Sequence, residues 1–218
     1  MQELLPSIAD QIDMLSLKRG VPLIITDADE VLFHFMAGFE DYLIAEGMTF
    51  DWSSFALAGN VKMPDGTVVA REAVQQHLGT FFERHTEDMK PVDHAAETLA
   101  ELSERAQVVV LSNLPLDQRD ARMRALLAND MPYPLIAGHG PKGAPVRALM
   151  ELADAPAVFI DDIPHNHQSV AKEADPVQRL HFVADPRLAR LLEPSKHAHH
   201  RADRWPDARG FIETALFG

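Results

Sequence analysis

The chain contains no cysteine in 218 residues. Disulfides, thiolate nucleophiles and cysteine-ligated zinc are therefore excluded. No apolar run approaches the length needed to cross a bilayer. The segment Met1 to Gly20 is amphipathic and acidic early, without the basic start and apolar block of a signal peptide. Basic residues are also scarce: 20 Lys and Arg stand against 33 Asp and Glu, a net charge of -13. General electrostatic attraction to nucleic acid or to an anionic membrane is excluded. A single phosphate can still bind where a cation and a few donors converge. A cytoplasmic protein with small-molecule partners is the expectation, its oligomeric state open. What is present, 46% hydrophobic and 24% charged residues, suits one sizeable core or a core plus a small insertion.

The stretch from Val21 to Phe35 organises the rest. Val21 to Ile25 is apolar and stops at two carboxylates, Asp27 and Asp29. Residues two apart on an extended chain point the same way. Both acids thus project from the carboxyl end of a buried strand, where open α/β sheets bind ligands. Two such acids repel, and a bound divalent cation would hold one of them as carboxylate. Alone, Asp-x-Asp is equally the mark of an acidic turn.

Elsewhere, helices and strands alternate. Leu4, Leu5, Ile8, Ile12 and Leu15 predict a first helix over Gln2 to Ser16, and strand one is Leu23 to Asp27. Phe35, Phe39, Tyr42 and Leu43 form a helical stripe that Gly47 stops. Val61 to Met63 and Thr67 to Val69 flank Pro64-Asp65-Gly66 as a hairpin. Helices are expected from Arg71 to His85, from Pro91 through Leu102, and from a cap at Asp117 to Asn129. Further strands are Gln107 to Leu111, Pro134 to Ala137, Ala157 to Ile160 and Leu180 to Val183. A helix follows Gly140-Pro141-Lys142-Gly143 with Val146, Leu149, Met150 and Ala153 inward, and another covers His165 to Ala174. The tail holds a short helix, a polar histidine-rich loop and a last helix near Asp207 to Leu216.

This pattern predicts an α/β fold: a Rossmann-like three-layer parallel sheet with helices on both faces. About 85 positions separate Asp27 from Ser112, whereas a βαβ unit needs only about 30. The surplus is too long and too patterned for a loop. It predicts a small, mostly helical cap at 35–90 over a core made of 1–34 and 91–218.

Four polar sites then fall at equivalent places: Asp27 and Asp29, Ser112 and Asn113, Lys142, and Asp161 and Asp162. Parallel strands would bring them to one crevice. Asp161, Asp162 and Asp27 form an oxygen-rich set suited to Mg²⁺. Lys142 offers a positive charge to a phosphoryl oxygen, and Ser112 a hydroxyl. Phosphoryl transfer needs mainly positioning and charge neutralisation. Asp27 would be the nucleophile that forms an aspartyl-phosphate, and Asp29 the acid and base.

Asp27-Ala28-Asp29-Glu30-Val31-Leu32, Ser112-Asn113, Lys142 and Phe159-Ile160-Asp161-Asp162 resemble, in order, the four motifs of the haloacid-dehalogenase superfamily. The resemblance runs from about Leu23 to Val183. It implies an Mg²⁺-dependent phosphohydrolase with a cap inserted after the first motif. It also implies that Asp29 binds the metal through its backbone carbonyl, and that Ser112 and Lys142 hold the phosphoryl group. Glu30 departs from the glycine common there and is expected to alter the turn without abolishing the reaction. Carbon–halogen-cleaving members lack the second acid, so Asp29 argues against dehalogenation. The first motif also resembles small-capped deoxyribonucleotidases. A substrate such as a nucleotide or sugar phosphate is expected. A phosphotransferase or mutase on the same scaffold, and a non-catalytic phosphate-binding module, are the alternatives.

Other residues carry competing readings. His165 and His167 can touch substrate, although surface exposure is the expectation. His197, His199 and His200 suggest zinc by composition, but a solvated loop is favoured. Phe33, Phe35 and Phe39 can line a leaving-group pocket, with core packing the default. Lys62 and Arg71 can face substrate from the cap.

Overall fold

The computed structural model describes residues 3–218. In chain order the strands are β1 (Leu23–Thr26), β2 (Thr49–Phe50), β3 (Val61–Lys62) and β4 (Gln107–Ser112). They continue with β5 (Leu135–Ala137), β6 (Ala157–Asp161), β7 (Gln178–Phe182) and β8 (His200–Ala202). The helices are α1 (Pro6–Asp13), α2 (Phe35–Ala45), α3 (Arg71–His85), α4 (Ala95–Ser103) and α5 (Arg119–Ala128). After these come α6 (Gly143–Ala153), α7 (Pro164–Glu173), α8 (Pro186–Leu191) and α9 (Trp205–Phe217).

Six strands form one parallel sheet in the order β5-β4-β1-β6-β7-β8. The central strands are continuous apolar runs because helices cover both faces. Leu23, Ile24 and Ile25 of β1 are fully buried, each contributing about 1.5–3 kcal/mol. Alternate residues separate into two cores. Ile24, Val108 and Val110 join one apolar cluster, while Ile25, Val109 and Phe159 join the other. From β1 the chain goes to β4 and β5 on one side, then crosses to β6, β7 and β8 on the other. The switch point is the carboxyl end of β1, where a crevice must open.

Residues 35–90 supply α2, the β2–β3 ribbon and α3. Phe35, Phe39, Tyr42, Phe81 and Phe82 stack into one aromatic set between α2 and α3. That set is continuous with the apolar cluster on one face of the sheet. Lys90 C=O accepts from His34 N–H (2.9 Å) and Leu32 C=O from Val92 N–H (2.8 Å), so the segments leaving and re-entering the core run side by side. This pairing corrects one expectation: Pro91 is bridged to Phe33 and not helical, and α4 begins at Ala95.

Other boundaries differ for local reasons. The expected helix start at Gln2 lies outside the described residues. The turn at Pro64-Asp65-Gly66 forms, with Gly66 at φ 85°, but Lys62 meets Val68 only as an isolated bridge. The strand partner of Val61–Lys62 is Thr49–Phe50. Asp117 lies in a short 3₁₀ turn, Leu116–Gln118, and does not cap α5. The histidine-rich tail contains β8, which sequence patterning missed. His199 accepts the Arg179 backbone N–H on Nδ1 (3.0 Å), and His199 N–H donates to Arg179 C=O (2.8 Å), extending the β7 ladder. Among the described residues, no helix is long and apolar enough to cross a membrane.

Candidate active site

Strand register assembles most of the site. Thr26 is paired with Val110 of β4 and with Ile160 of β6. Asp27, one residue on, therefore lies beside Asp161, and Ser112 emerges on the other flank. The Asp27 N–H donates to Ile160 C=O (2.8 Å), which holds the first acid to the sheet edge. Lys142 reaches the same point from the residue preceding α6. Gly143 makes that approach feasible: a Cβ there would collide with the Ser169 carbonyl of α7. Four sites dispersed in sequence thus meet at one rim.

Asp27 is buried and held on one oxygen. Its Oδ1 accepts from the Ala28 N–H (2.7 Å) and from Lys142 Nζ (2.8 Å). Burial pushes its carboxyl up to about 7, against the lowering effect of Lys142. Lys142 also donates to Asp161 Oδ2 (2.7 Å) and is itself fully buried. Burial disfavours the ammonium, but the Asp161 and Asp27 charges outweigh it and raise the lysine. Burial acts to raise Asp161 too, yet Lys142 and His167 hold its carboxyl below the usual range. Asp162, half-buried and facing the cleft, is pushed well above it by burial and by Asp161.

A second layer fixes the acidic pair. Asp161 Oδ1 accepts from the Ile163 N–H (2.8 Å) and the Asn166 amide (3.0 Å). His167 Nε2 donates to Asp161 C=O (2.9 Å), and His181 Nε2 to Asp162 C=O (2.8 Å). His181 Nδ1 accepts from Ser195 N–H (3.0 Å), which sets a neutral tautomer. Burial and Arg201 push His181 down to about 4, keeping it neutral. The surface position expected for His167 is thus corrected: it is fully buried as a brace, while His165 is exposed.

Carboxylate oxygens of Asp27, Asp161 and Asp162 lie within 4.8 Å of one another. An all-oxygen carboxyl set of this kind suits a hard divalent cation such as Mg²⁺, which would favour the ionised forms. The Asp29 side chain stands apart from these three. Its Oδ1 accepts from Arg122 Nη2 at 2.6 Å. Arg122 is fully buried on α5 and its guanidinium lies over the Phe33 ring at 4.8 Å. Sequence reasoning did not find Arg122, although it shares an inward face with Ala125 and Leu126, where a charged residue needs a partner. Ser112 Oγ is buried with no hydrogen-bond partner, as a hydroxyl reserved for a ligand would be. Asn113 is exposed and donates to Gly140 C=O (3.1 Å).

Glu30 keeps the left-handed turn that favours glycine, at φ 59°. Its buried carboxylate accepts the Met36 N–H (2.6 Å) at the start of α2 and the Asp185 N–H (3.0 Å) before α8. Asp185 in turn pairs with Arg187, which reaches Glu40 of α2 at 2.6 Å and stacks over Trp52. The departure at position 30 therefore ties the start of α2 to the segment before α8. The Trp205 indole adds a bond to Val31 C=O (2.9 Å), bracing the loop from behind.

Above the acids lies a cleft of about 320 Å³ lined by Asp27, Asp29, Glu30, Asn113 and Asp162, and otherwise by apolar side chains. Phe35 is in that wall, whereas Phe33 and Phe39 are core residues. Lys62 pairs with Asp51 and Arg71 is exposed at the start of α3, so neither faces the cleft. The His197 to His200 stretch serves strand pairing and stacking on Phe211.

The raised Asp27 carboxyl has a measurable consequence. The folded chain keeps a proton there to about pH 7, while the unfolded chain releases it near 4. The stability this confers is complete below pH 4 and lost as pH rises through 7. Between pH 5 and 8 the loss is on the order of 3 kcal/mol, or about 5–10 °C in Tm for a chain of this size. In EDTA, the Tm of Asp27→Asn minus that of the wild type should rise by about this amount from pH 5 to pH 8. Histidine titrations cancel in the difference. A flat or falling difference would contradict the buried, neutral carboxyl.

No family model matches the sequence, and no curated protein matches it. Solved structures do share its fold. A haloacid dehalogenase-like family hydrolase from Streptococcus pneumoniae aligns with a TM-score of 0.59 at 12% identity, over 88% of this chain and 98% of its own. A HAD family hydrolase from Deinococcus radiodurans, solved with bound phosphate and sodium, aligns at 0.60 and 16% identity, over 91% and 97%. A candidate β-phosphoglucomutase from Thermotoga maritima aligns at 0.59 and 14% identity, over 89% and 100%. The chain has the haloacid-dehalogenase-like fold, as its four motifs imply.

Proposed function

We propose that this chain is an Mg²⁺-dependent phosphohydrolase acting on a small phosphorylated metabolite through an aspartyl-phosphate on Asp27. One observation carries the reading: a carboxylate pinned on Oδ1 by Lys142 and a backbone N–H, at a rim shared with Asp161 and Asp162. Pinning Oδ1 leaves Oδ2 to attack phosphorus once its proton is lost, which a bound divalent cation would favour. Attack forms the Asp27–phosphorus bond as the bond to the leaving oxygen breaks. Asp29, oriented by Arg122, gives a proton to that oxygen and then takes one from the water that hydrolyses the acyl phosphate. Ser112 and Lys142 hold phosphoryl oxygens, with Asn113 at the mouth. Asp27, Asp161, Asp162 and the Asp29 carbonyl would hold Mg²⁺, which supplies charge neutralisation between the acids and the phosphoryl group.

Net charge -13 turns polyanions away, so the reading takes the partner to be a small ester. Transfer to a second hydroxyl in place of water is the other outcome of the same intermediate, and product analysis with an added acceptor separates the two. The main test is release of phosphate from phenyl phosphate with Mg²⁺ and with EDTA. Chelation should lower turnover at least about 100-fold. Undiminished turnover in EDTA would overturn the metal-dependent mechanism.

A further inference from the structure

The geometry points to an extended apolar alcohol, alkyl or aryl, as the leaving group of this site, an inference that rests on the hydrolase reading. The wall facing the carboxylates is carbon: Phe55 and Leu57 from the β2–β3 connection, Leu78 and Phe82 from α3, and Leu188 and Leu192 at α8. Polar lining is confined to four acids and Asn113. Both Glu30 oxygens are already used by backbone N–H groups, and the Asn113 amide donates to Gly140. The leaving-group wall carries no serine, threonine, tyrosine, histidine, lysine or arginine; Ser112 and Lys142 are buried at the strand ends, outside this lining.

A sugar buried there would find no side-chain donor and, as acceptors, only acids already committed to backbone N–H groups or to the phosphoryl end, which is costly for each hydroxyl. Sites that select hydroxyls are built with matching groups, because the discrimination comes from that pairing. A nucleobase edge meets the same lack of donors. A second phosphate or a carboxylate on the alcohol would face acids alone. An apolar group instead gains burial at every carbon.

A second hollow of about 460 Å³ adjoins the cleft across Leu78, Phe82 and Asn113, with Leu114, Pro115 and Leu116 of the loop after β4 in its wall and Gln75 and His139 as its polar residues. Phe55 and Leu116, among the cleft and groove residues, are about half exposed, at 50% and 48%. Large apolar side chains left open along one groove are what an apolar ligand would cover.

The test compares esters of primary alcohols, so that leaving-group chemistry is matched. With Mg²⁺, kcat/KM should climb from ethyl to n-hexyl phosphate by at least about thirtyfold, each buried methylene giving up to about fourfold. n-Hexyl phosphate should also exceed glycerol 3-phosphate, glucose 6-phosphate and thymidine 5′-monophosphate. Phenyl and naphthyl phosphates, compared at equal leaving-group acidity, show whether aryl groups share the preference. Calorimetry with methyl- to n-octylphosphonate, which cannot be hydrolysed, gives a second readout: affinity should rise with chain length. Leu57→Gln and Leu78→Gln should flatten both series. Turnover that is independent of chain length, or highest on glycerol, glucose or nucleoside phosphates, overturns the inference and leaves the hydrolase reading standing. Chain-length-dependent phosphonate binding without turnover of any ester upholds the apolar site and overturns the hydrolase reading.

Discussion

Asp27→Asn should lower phosphate release by at least about 10⁴-fold, more than 5 kcal/mol of transition-state stabilisation. The reason lies in how the side chain is held. Lys142 and the Ala28 N–H both engage Oδ1, so the residue is oriented before any ligand arrives. Asparagine can keep those contacts through its carbonyl oxygen and still fold. What it presents to phosphorus is then an amide nitrogen, which does not displace an alkoxide. Acid quenching should trap a phosphorylated wild-type protein and none of the variant. Alkylphosphonate binding, measured alongside, should survive within about tenfold, showing that the site is formed. Retention of more than about 1% of wild-type turnover would remove Asp27 from the nucleophile's role.

The parts of this molecule that were legible from sequence are those where burial leaves little choice. A parallel strand covered on both faces reads as an unbroken apolar run, so β1, β4 and β6 declared themselves, and the polar residues that end them marked the rim. Their alternation with helical patterns then implied the fold, and the order of the motifs the family resemblance. What stayed hidden depends on distant partners. Arg122 looks like one more surface arginine among Arg119 and Arg124 until its helix is docked against Asp29. His167 and Asn166 lie in a polar stretch, yet α7 is turned so that both bond Asp161. β8 is three residues in a charged, histidine-rich tail, and only its pairing with β7 makes it a strand. Pro91 reads as a helix start by local preference, but pairing with the segment that leaves the core overrides it. Beyond Phe35, the cleft wall was illegible for the same reason: Phe55, Leu78 and Leu188 are unremarkable apolar residues until three elements bring them together.

Lys142→Met should be the most destabilising single change at the site. The ammonium sits fully buried between Asp27 Oδ1 at 2.8 Å and Asp161 Oδ2 at 2.7 Å, with Asp162 close by. Methionine matches its apolar stem as far as Cε, so little packing is lost. The charge is lost entirely, and removing one partner of a buried pair costs about 3–5 kcal/mol. That is about 6–20 °C in Tm for a chain of this size. The acids left behind would take up protons, so the deficit should be larger at pH 8 than at pH 5. A divalent cation repels Lys142 but neutralises the same carboxylates, so Mg²⁺ should narrow the deficit at pH 8. Narrowing of that kind separates lost charge from lost shape, since a packing defect is indifferent to the ion. Lys142→Arg should fail as well, because a planar fork cannot take the place of a point charge between two acids. Even at saturating Mg²⁺, Lys142→Met should turn over at least about 100-fold more slowly, for want of a cation at the phosphoryl oxygen. Equal stability of variant and wild type in EDTA at pH 8 would show that the acids do not need this lysine, and the buried charge cluster would need another explanation.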